Sequence, residues 1–308
     1  MKPDAFAFVM ATGIVSIAAA DHGFDSISDV LVVLAAAGLV VLAVVGVFVW
    51  RRAPLDFSTP EAPIGLLTFV AACAVVGTRL KWSAPVHWSF AALALIGWLV
   101  LMALVLRAMW RCRWAGLRDR ARGGGELVSV ATSGLAILAA DLGLVGVAIA
   151  LLLLALCLYG LMTGLVLWRV VHERTAPELF APDMWILMGG AAIATLAGDH
   201  IHQAGVEGIR PVTVATWVVA GLWIPALAVA SMRLRDGNWW AAVFPLGMYS
   251  SATFATAVET GWHPLTWISL AFFWIAFGAW LLTCCLEIDV MARSTRTFSP
   301  KRWFGRRG

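Results

Sequence analysis

The chain has 308 residues, 61% of them hydrophobic and 13% charged, with a mean hydropathy of +0.87; soluble domains carry roughly 45–50% apolar and about 25% charged residues, so a water-soluble globule is excluded. The formal charge of +4 comes from bases scattered over many short loops, not gathered in one patch, which excludes a nucleic-acid partner. Five cysteines show no metal-type or redox spacing and read as small core residues.

Ten apolar runs lie between charged or proline-rich breaks, at residues 5–20, 30–50, 63–78, 86–107, 127–141, 144–168, 184–198, 212–232, 239–258 and 265–285. Each is read as a transmembrane helix, since a hydrocarbon core of ~30 Å takes about 17–25 residues to cross. The first run resembles a signal peptide, but Asp4 spoils the basic leader and the segment matches later ones, so it reads as a mature helix. Residues 1–290 then form one transmembrane domain and 291–308 a basic cytoplasmic tail.

Lysine and arginine segregate between alternate loops, 19 on one side and Arg79, Lys81 and Arg210 on the other. Basic residues stay cytoplasmic, which predicts an integral protein of a bacterial inner membrane with both termini inside. No lysine or arginine falls in the middle of a span, and the acids sit at helix ends or in loops. This argues against proton relays and voltage sensors, which place ionisable groups at depth.

The odd-numbered spans share a plan: a polar or proline-containing start, a stretch of small residues, then usually an acid, the third span ending in Thr78 and Arg79 instead. Asp21, Thr78, Asp141, Asp199 and Glu259 mark equivalent ends, separated by 57, 63, 58 and 60 residues, the length of one helical hairpin with its loops. Gly, Ala, Ser and Thr make up about half of the odd spans and about a third of the even ones. The expected fold is therefore all-α, five hairpins in a quasi-fivefold ring, with small odd helices around a central pore and Leu/Val/Trp-rich even helices toward lipid. The expected lining is Thr12, Gly13, Ser16, Thr132, Ser133, Gly134, Gly189, Gly190, Thr195, Gly247, Ser250, Ser251 and Thr253, with Ser129 and Thr256 as further hydroxyls.

Other polar residues have plainer readings. His200 and His202 in Asp199-His200-Ile201-His202 point to different faces of a helix, so hydrogen bonding at the interface is expected and no metal site. Glu126, after Gly123 to Gly125, suits the start of a helix better than a catalytic base. Tryptophans such as Trp50, Trp82, Trp88, Trp110, Trp168, Trp185, Trp239, Trp240 and Trp262 form an interfacial belt, while Trp98, Trp217, Trp223, Trp274 and Trp280 lie deeper and pack on neighbouring helices or subunits.

The segments FAFVMATGIVSIA at 6–18, GLLTFVAACAVVGTRL at 65–80, PDMWILMGGAAIATLAG at 182–198 and WWAAVFPLGMYSSATFA at 239–255 resemble the TehA-type tellurite-resistance and C4-dicarboxylate transporter family, which includes the plant guard-cell slow anion channel. The resemblance implies a homotrimer with one pore per protomer, five kinked odd helices ringed by five even ones, and a phenylalanine plug on the ninth helix. Phe244, in VFPLG, matches that plug; Pro245 beside it removes a backbone donor and is expected to bend the helix. Interrupted helices at Gly13, Gly134, Gly189, Gly190 and Pro245 are expected to aim N-terminal dipole ends at the pathway.

The function expected is passive, gated conduction of small inorganic or organic anions through the lipid bilayer, without enzyme activity, cofactor or metal. The alternative is a proton-coupled exporter of C4-dicarboxylates, sulfite or tellurite-related oxyanions on the same fold. One feature stands against easy anion entry: Asp21, Asp141, Asp199 and Glu259 surround the outer mouth, offset by Arg79, Lys81 and Arg210.

Overall fold

The computed structural model describes residues 3–52, 56–57, 59–81, 83–118, 121–173, 181–231 and 238–297. Lys2, Trp82, Arg120, Arg174, Arg233, Arg235 and residues 298–308 of the basic tail lie outside the described residues. The described chain is all-helical: α1 (Ala7–Asp21), α2 (Asp25–Arg52), α3 (Glu61–Arg79), α4 (Ala84–Arg118), α5 (Leu127–Asp141), α6 (Val145–His172), α7 (Ile186–Gln203), α8 (Arg210–Ser231), α9 (Trp240–Thr260) and α10 (Leu265–Thr297). Short 3-10 turns at Gly123–Glu126, Pro182–Trp185 and Glu207–Ile209 lead into α5, α7 and α8.

Among the described residues, nine helices are long and apolar enough to cross a membrane, while α1 has 15 residues. At ~1.5 Å per residue α1 is roughly 22 Å long. It is almost wholly buried, so its match to the bilayer is set by protein neighbours and not by lipid. Several outer helices overrun the expected spans, α4 reaching Arg118 and α10 reaching Thr297. Arginine ends an apolar run, but it is a good helix former and does not end a helix.

Two layers follow from burial. The most apolar windows of α3, α5, α7 and α9 are 61–94% buried, those of the even helices only 17–22%. Lipid therefore solvates the Leu/Val/Trp faces of the even helices, and the small-residue helices form the interior. Each odd helix packs on the even helix that follows it, and α1 packs on α3, α3 on α5, α5 on α7, α7 on α9, and α9 back on α1. The neighbours of the inner helices thus form a closed cycle.

Glycines make that cycle tight. A methyl group at Gly13 would meet Val75 Cγ1 at 2.8 Å, one at Gly134 would meet Ala74 Cβ at 2.8 Å, and one at Gly247 would meet Ile14 Cγ2 at 3.0 Å. The expectation of interrupted helices is corrected here: α1, α5, α7 and α9 run unbroken through Gly13, Gly134, Gly189, Gly190 and Pro245. A glycine in a packed helix answers to its neighbour's proximity, and a small residue set against the next helix gives the backbone no reason to unwind.

Four inner helices end on a left-handed glycine, Gly23, Gly143, Gly205 and Gly261, with φ between 73° and 101°. After α1, Phe24 N–H returns to the Ala19 carbonyl and Gly23 N–H to Ala20; after α5, Leu144 returns to Ala139 and Gly143 to Ala140; after α7, Val206 returns to Ile201 and Gly205 to His202. These paired bonds satisfy carbonyls that a helix end otherwise leaves open, and they turn the chain at once into the next helix. The inner helix of the second hairpin, α3, has no such glycine in the sequence that follows it, matching its missing acid.

Candidate functional site

The inner-helix hydroxyls expected to line a path mostly turn outward. Trp98 of α4 donates its indole N–H to Thr132 of α5 at 2.9 Å, Trp217 of α8 to Thr253 of α9 at 3.0 Å, and Trp280 of α10 to Thr12 of α1 at 2.9 Å. In each case an outer helix bonds the inner helix of the next hairpin around the cycle. Within hairpins, Ser16 and Ser28 exchange hydroxyl bonds to each other's carbonyls (2.8 and 2.7 Å), Ser250 and Ser269 do the same (2.8 and 2.7 Å), and Thr195 donates to Thr216 at 2.9 Å. A buried indole N–H or hydroxyl needs a partner where water is absent. Sequence reading found the deep tryptophans and the inner hydroxyls separately; what it missed is that each serves the other.

The remaining members of the expected lining divide as follows. Gly13, Gly134 and Gly247 are packing points between inner helices, and Gly190 receives the Tyr159 ring of α6, whose Cδ2 a methyl would meet at 3.0 Å. Ser133 is 1% exposed and has no hydrogen-bond partner among the described residues. Ser251 borders a chamber described below.

Phe244 is wholly buried, and Pro245 beside it is buried too. Both rest on Gly189 of α7, where an added methyl would lie 3.1 Å from Pro245 Cγ and 3.4 Å from Phe244 Cε1. Gly189 is thus the seat of the VFPLG segment. Pro245 also removes the amide that would otherwise bond the Ala241 carbonyl one turn earlier.

Two chambers lie at opposite ends of the inner helices. The first, of about 530 Å³, is bordered by their starts: Asp4 and Met10, Glu61 and Thr68, Gly125 and Leu127, Asp183 and Ile186, Asn238 and Ala241. The second, of about 490 Å³, is bordered by their ends: Ile17 and Asp21 from α1, Thr78 and Arg79 from α3, Asp199 and His200 from α7, Ser251 and Phe254 from α9. Phe244 lies between them, one turn beyond Ala241 of the first.

The polar starts expected of the inner helices resolve into one repeated group, Asp4, Glu61, Glu126, Asp183 and Asn238, one before or at the first turn of each inner helix. Acids are favourable there, where unpaired amides leave partial positive charge. Asn238 donates to Asp4 at 2.6 Å, linking the starts of α9 and α1; Asp183 meets Arg122 at 3.5 Å and accepts from the Gly124 amide at 3.3 Å, linking α7 to α5. Glu126 is fully buried and accepts from Thr163 of α6 at 2.6 Å and from Ser129 at 3.2 Å. The signal was legible in PDAF, PEAP, GELV and PDMW.

At the opposite end the acids have unequal company. Asp141 is held by His200 Nδ1 at 2.8 Å and Lys81 Nζ at 3.7 Å, and Arg79 reaches Asp29 at 3.2 Å and the Ser28 hydroxyl at 2.9 Å. His202 Nδ1 lies 4.0 Å from Glu259. The two histidines therefore face separate carboxylates on neighbouring inner helices, and no group of three or more His, Cys, Asp or Glu suited to a metal occurs among the described residues.

Comparison with known proteins agrees with this architecture. A stretch of 144 residues, 43% of the chain, is 26% identical to an uncharacterized transporter of Methanocaldococcus jannaschii, of which it covers 42%; the chain thus aligns to less than half of that relative's length. A stretch of 143 residues, 41% of the chain, is 29% identical to an uncharacterized membrane protein of Mycobacterium tuberculosis, covering 73% of it. The family model described as SLAC1, voltage-dependent anion channel, matches residues 1–288. With that match running from α1 into α10, the chain is a member of the SLAC1 anion channel family, a membrane transport family.

Proposed function

We propose that the chain conducts small anions passively along the axis of the five inner helices, and that Phe244 plugs this path. The observation that carries the reading is the pair of chambers at the two ends of the inner helices with the wholly buried Phe244 between them. An apolar ring at a constriction blocks ions by size and by dewetting, and passes most readily the anions that shed water cheaply. The chamber at the helix starts is cytoplasmic in this reading, the assembly is a homotrimer, and the cytoplasmic tail contributes only positive charge. Low affinity suits such a path, since no lysine or arginine stands in the middle of a span to hold an anion.

The test is anion flux in liposomes without a proton gradient, comparing chloride and nitrate with a C4-dicarboxylate. Phe244→Ala is expected to raise chloride flux by about tenfold or more over the unchanged protein, as removal of a steric plug requires. A coupled exporter of dicarboxylates or oxyanions has one observation in its favour, the buried Glu126, which accepts from two hydroxyls, Ser129 and Thr163. In that case flux appears only with an imposed pH gradient and is lost in Glu126→Gln.

A further inference from the structure

We propose that Asp21 and Asp199 form a proton-operated charge filter at their end of the path, so that anion passage is weak while both carry charge and rises when acid neutralises them. The inference rests on the axial path proposed above and adds to it a control built into one mouth.

The geometry begins with the pairing of charges. Every basic side chain that borders this chamber is engaged with an acid that does not border it: Arg79 with Asp29, and Lys81 and His200 with Asp141. Asp21 and Asp199 border the chamber themselves, and no ion pair within contact distance joins either to a base among the described residues. Asp199 accepts from the Gln203 amide at 2.7 Å, a neutral donor. Next to Asp21, Ser251 is 1% exposed, borders the chamber and turns its hydroxyl, a neutral group, toward the Asp21 carboxylate. The bordering cations are thus each engaged by an acid outside the chamber, while its two bordering carboxylates have the neutral Gln203 and Ser251 as near partners.

The surroundings of the pair are mixed in charge, and each element contributes. α1 and its turn bring His22, α2 brings Asp25 and Asp29, the end of α3 brings Arg79 and Lys81, and α4 brings His87. α5 brings Asp141, α7 brings His200 and His202, the turn before α8 and its first residue bring Glu207 and Arg210, α9 brings Glu259, and His263 precedes α10. Arg79 and His200 act on Asp21 from a distance, while Asp199 opposes it; His200, His202 and Lys81 act on Asp199. Both carboxylates also sit at C-terminal helix ends, where the backbone already leaves partial negative charge. An anion entering here meets two like charges inside a walled chamber, where fields are focused and screening by salt is reduced. A proton on either acid removes a like charge and supplies an O–H donor in its place.

The experiment uses the full chain carrying Phe244→Ala, so that the plug does not limit the flux. Chloride flux is measured in proteoliposomes at pH 7.5 and pH 5.5 on both sides, alongside the reversal potential in a KCl gradient. Acid is expected to raise chloride flux by about tenfold, the scale of a focused mouth charge, and to make the reversal potential more anion-selective. Asp21→Asn with Asp199→Asn is expected to give the high flux and the anion-selective potential at both pH values, and Asp21→Glu with Asp199→Glu to restore the pH response. An unchanged pH response in the asparagine variant overturns the filter while leaving the axial path in place; absence of flux from Phe244→Ala at either pH overturns the path and the filter with it. Should the double variant fail to fold, each single asparagine variant must lose part of the pH response, and a full response in both overturns the inference.

Discussion

An indole N–H inside a bilayer has no water to turn to, and this explains what became of the inner-helix threonines. Thr12, Thr132 and Thr253 were legible as polar residues on small-residue helices, but the sequence alone does not say which way they face. Trp280, Trp98 and Trp217 settle it, since each needs an acceptor and a threonine hydroxyl on the next inner helix is within reach. Replacing any one of these tryptophans by phenylalanine keeps most of the packing and removes one bond. Thermal unfolding in detergent is expected to show a loss of about 0.6 kcal/mol each, with ~1.7 as the upper bound for interhelical bonds in membranes. Anion flux should be unchanged, because these groups lie between helices and away from the proposed axis. Phe244 was legible because Pro245 and the surrounding VFPLG segment single it out among 15 phenylalanines; its seat on Gly189 was not, because that contact joins α9 to α7 across more than fifty residues.

The C-terminal ends of the inner helices were the most readable, whereas α4 and α10 run past their expected limits. Ten spans and their order come from apolar length alone, and the recurring acid and glycine, as in Asp21-His22-Gly23 and Asp141-Leu142-Gly143, announce how four inner helices stop. At Gly23 and Gly143 the backbone is left-handed with φ of 74° and open space beside it, so the cost of a side chain there is conformational only. Gly23→Ala and Gly143→Ala are each expected to lower stability by about 1 kcal/mol, the penalty an L-residue with a Cβ meets in that region. Equal losses at the two sites would reflect their equivalence in the repeat. What was not readable is the continuity of α1, α5, α7 and α9. Glycine and proline suggest breaks when read one at a time, yet here Gly13 and Gly134 are small because Val75 and Ala74 stand against them.

For the whole molecule, the closed cycle of inner helices makes close approach a shared requirement. Gly123 is the most constrained point, since a side chain there would overlap the Asp183 carbonyl and the Met184 backbone, which cannot rotate away. Gly123→Ala is expected to reduce the yield of folded protein sharply, by more than the ~1–3 kcal/mol typical of overpacking against side chains. Gly13→Val, which presses on Val75 Cγ1, should fall within that range. The two-layer arrangement, fivefold repeat and transport family were all within reach of the sequence, because lipid sorts apolar from small residues as water sorts apolar from charged ones. The chambers were not, since each is bordered by residues from four or more helices that no local pattern connects.

The central claim is that Phe244 stands in the ion path. With the five native cysteines replaced, Phe244→Cys can be modified by a charged thiol reagent while anion current is recorded, with Phe273→Cys, equally buried but set among Phe24, Trp274 and Phe277 in the outer layer, as the control. The account predicts that a positively charged adduct at position 244 changes the current and its anion selectivity within the time of modification, and that position 273 gives no such change. A current that is indifferent to modification at 244, shown complete by mass spectrometry, would contradict it.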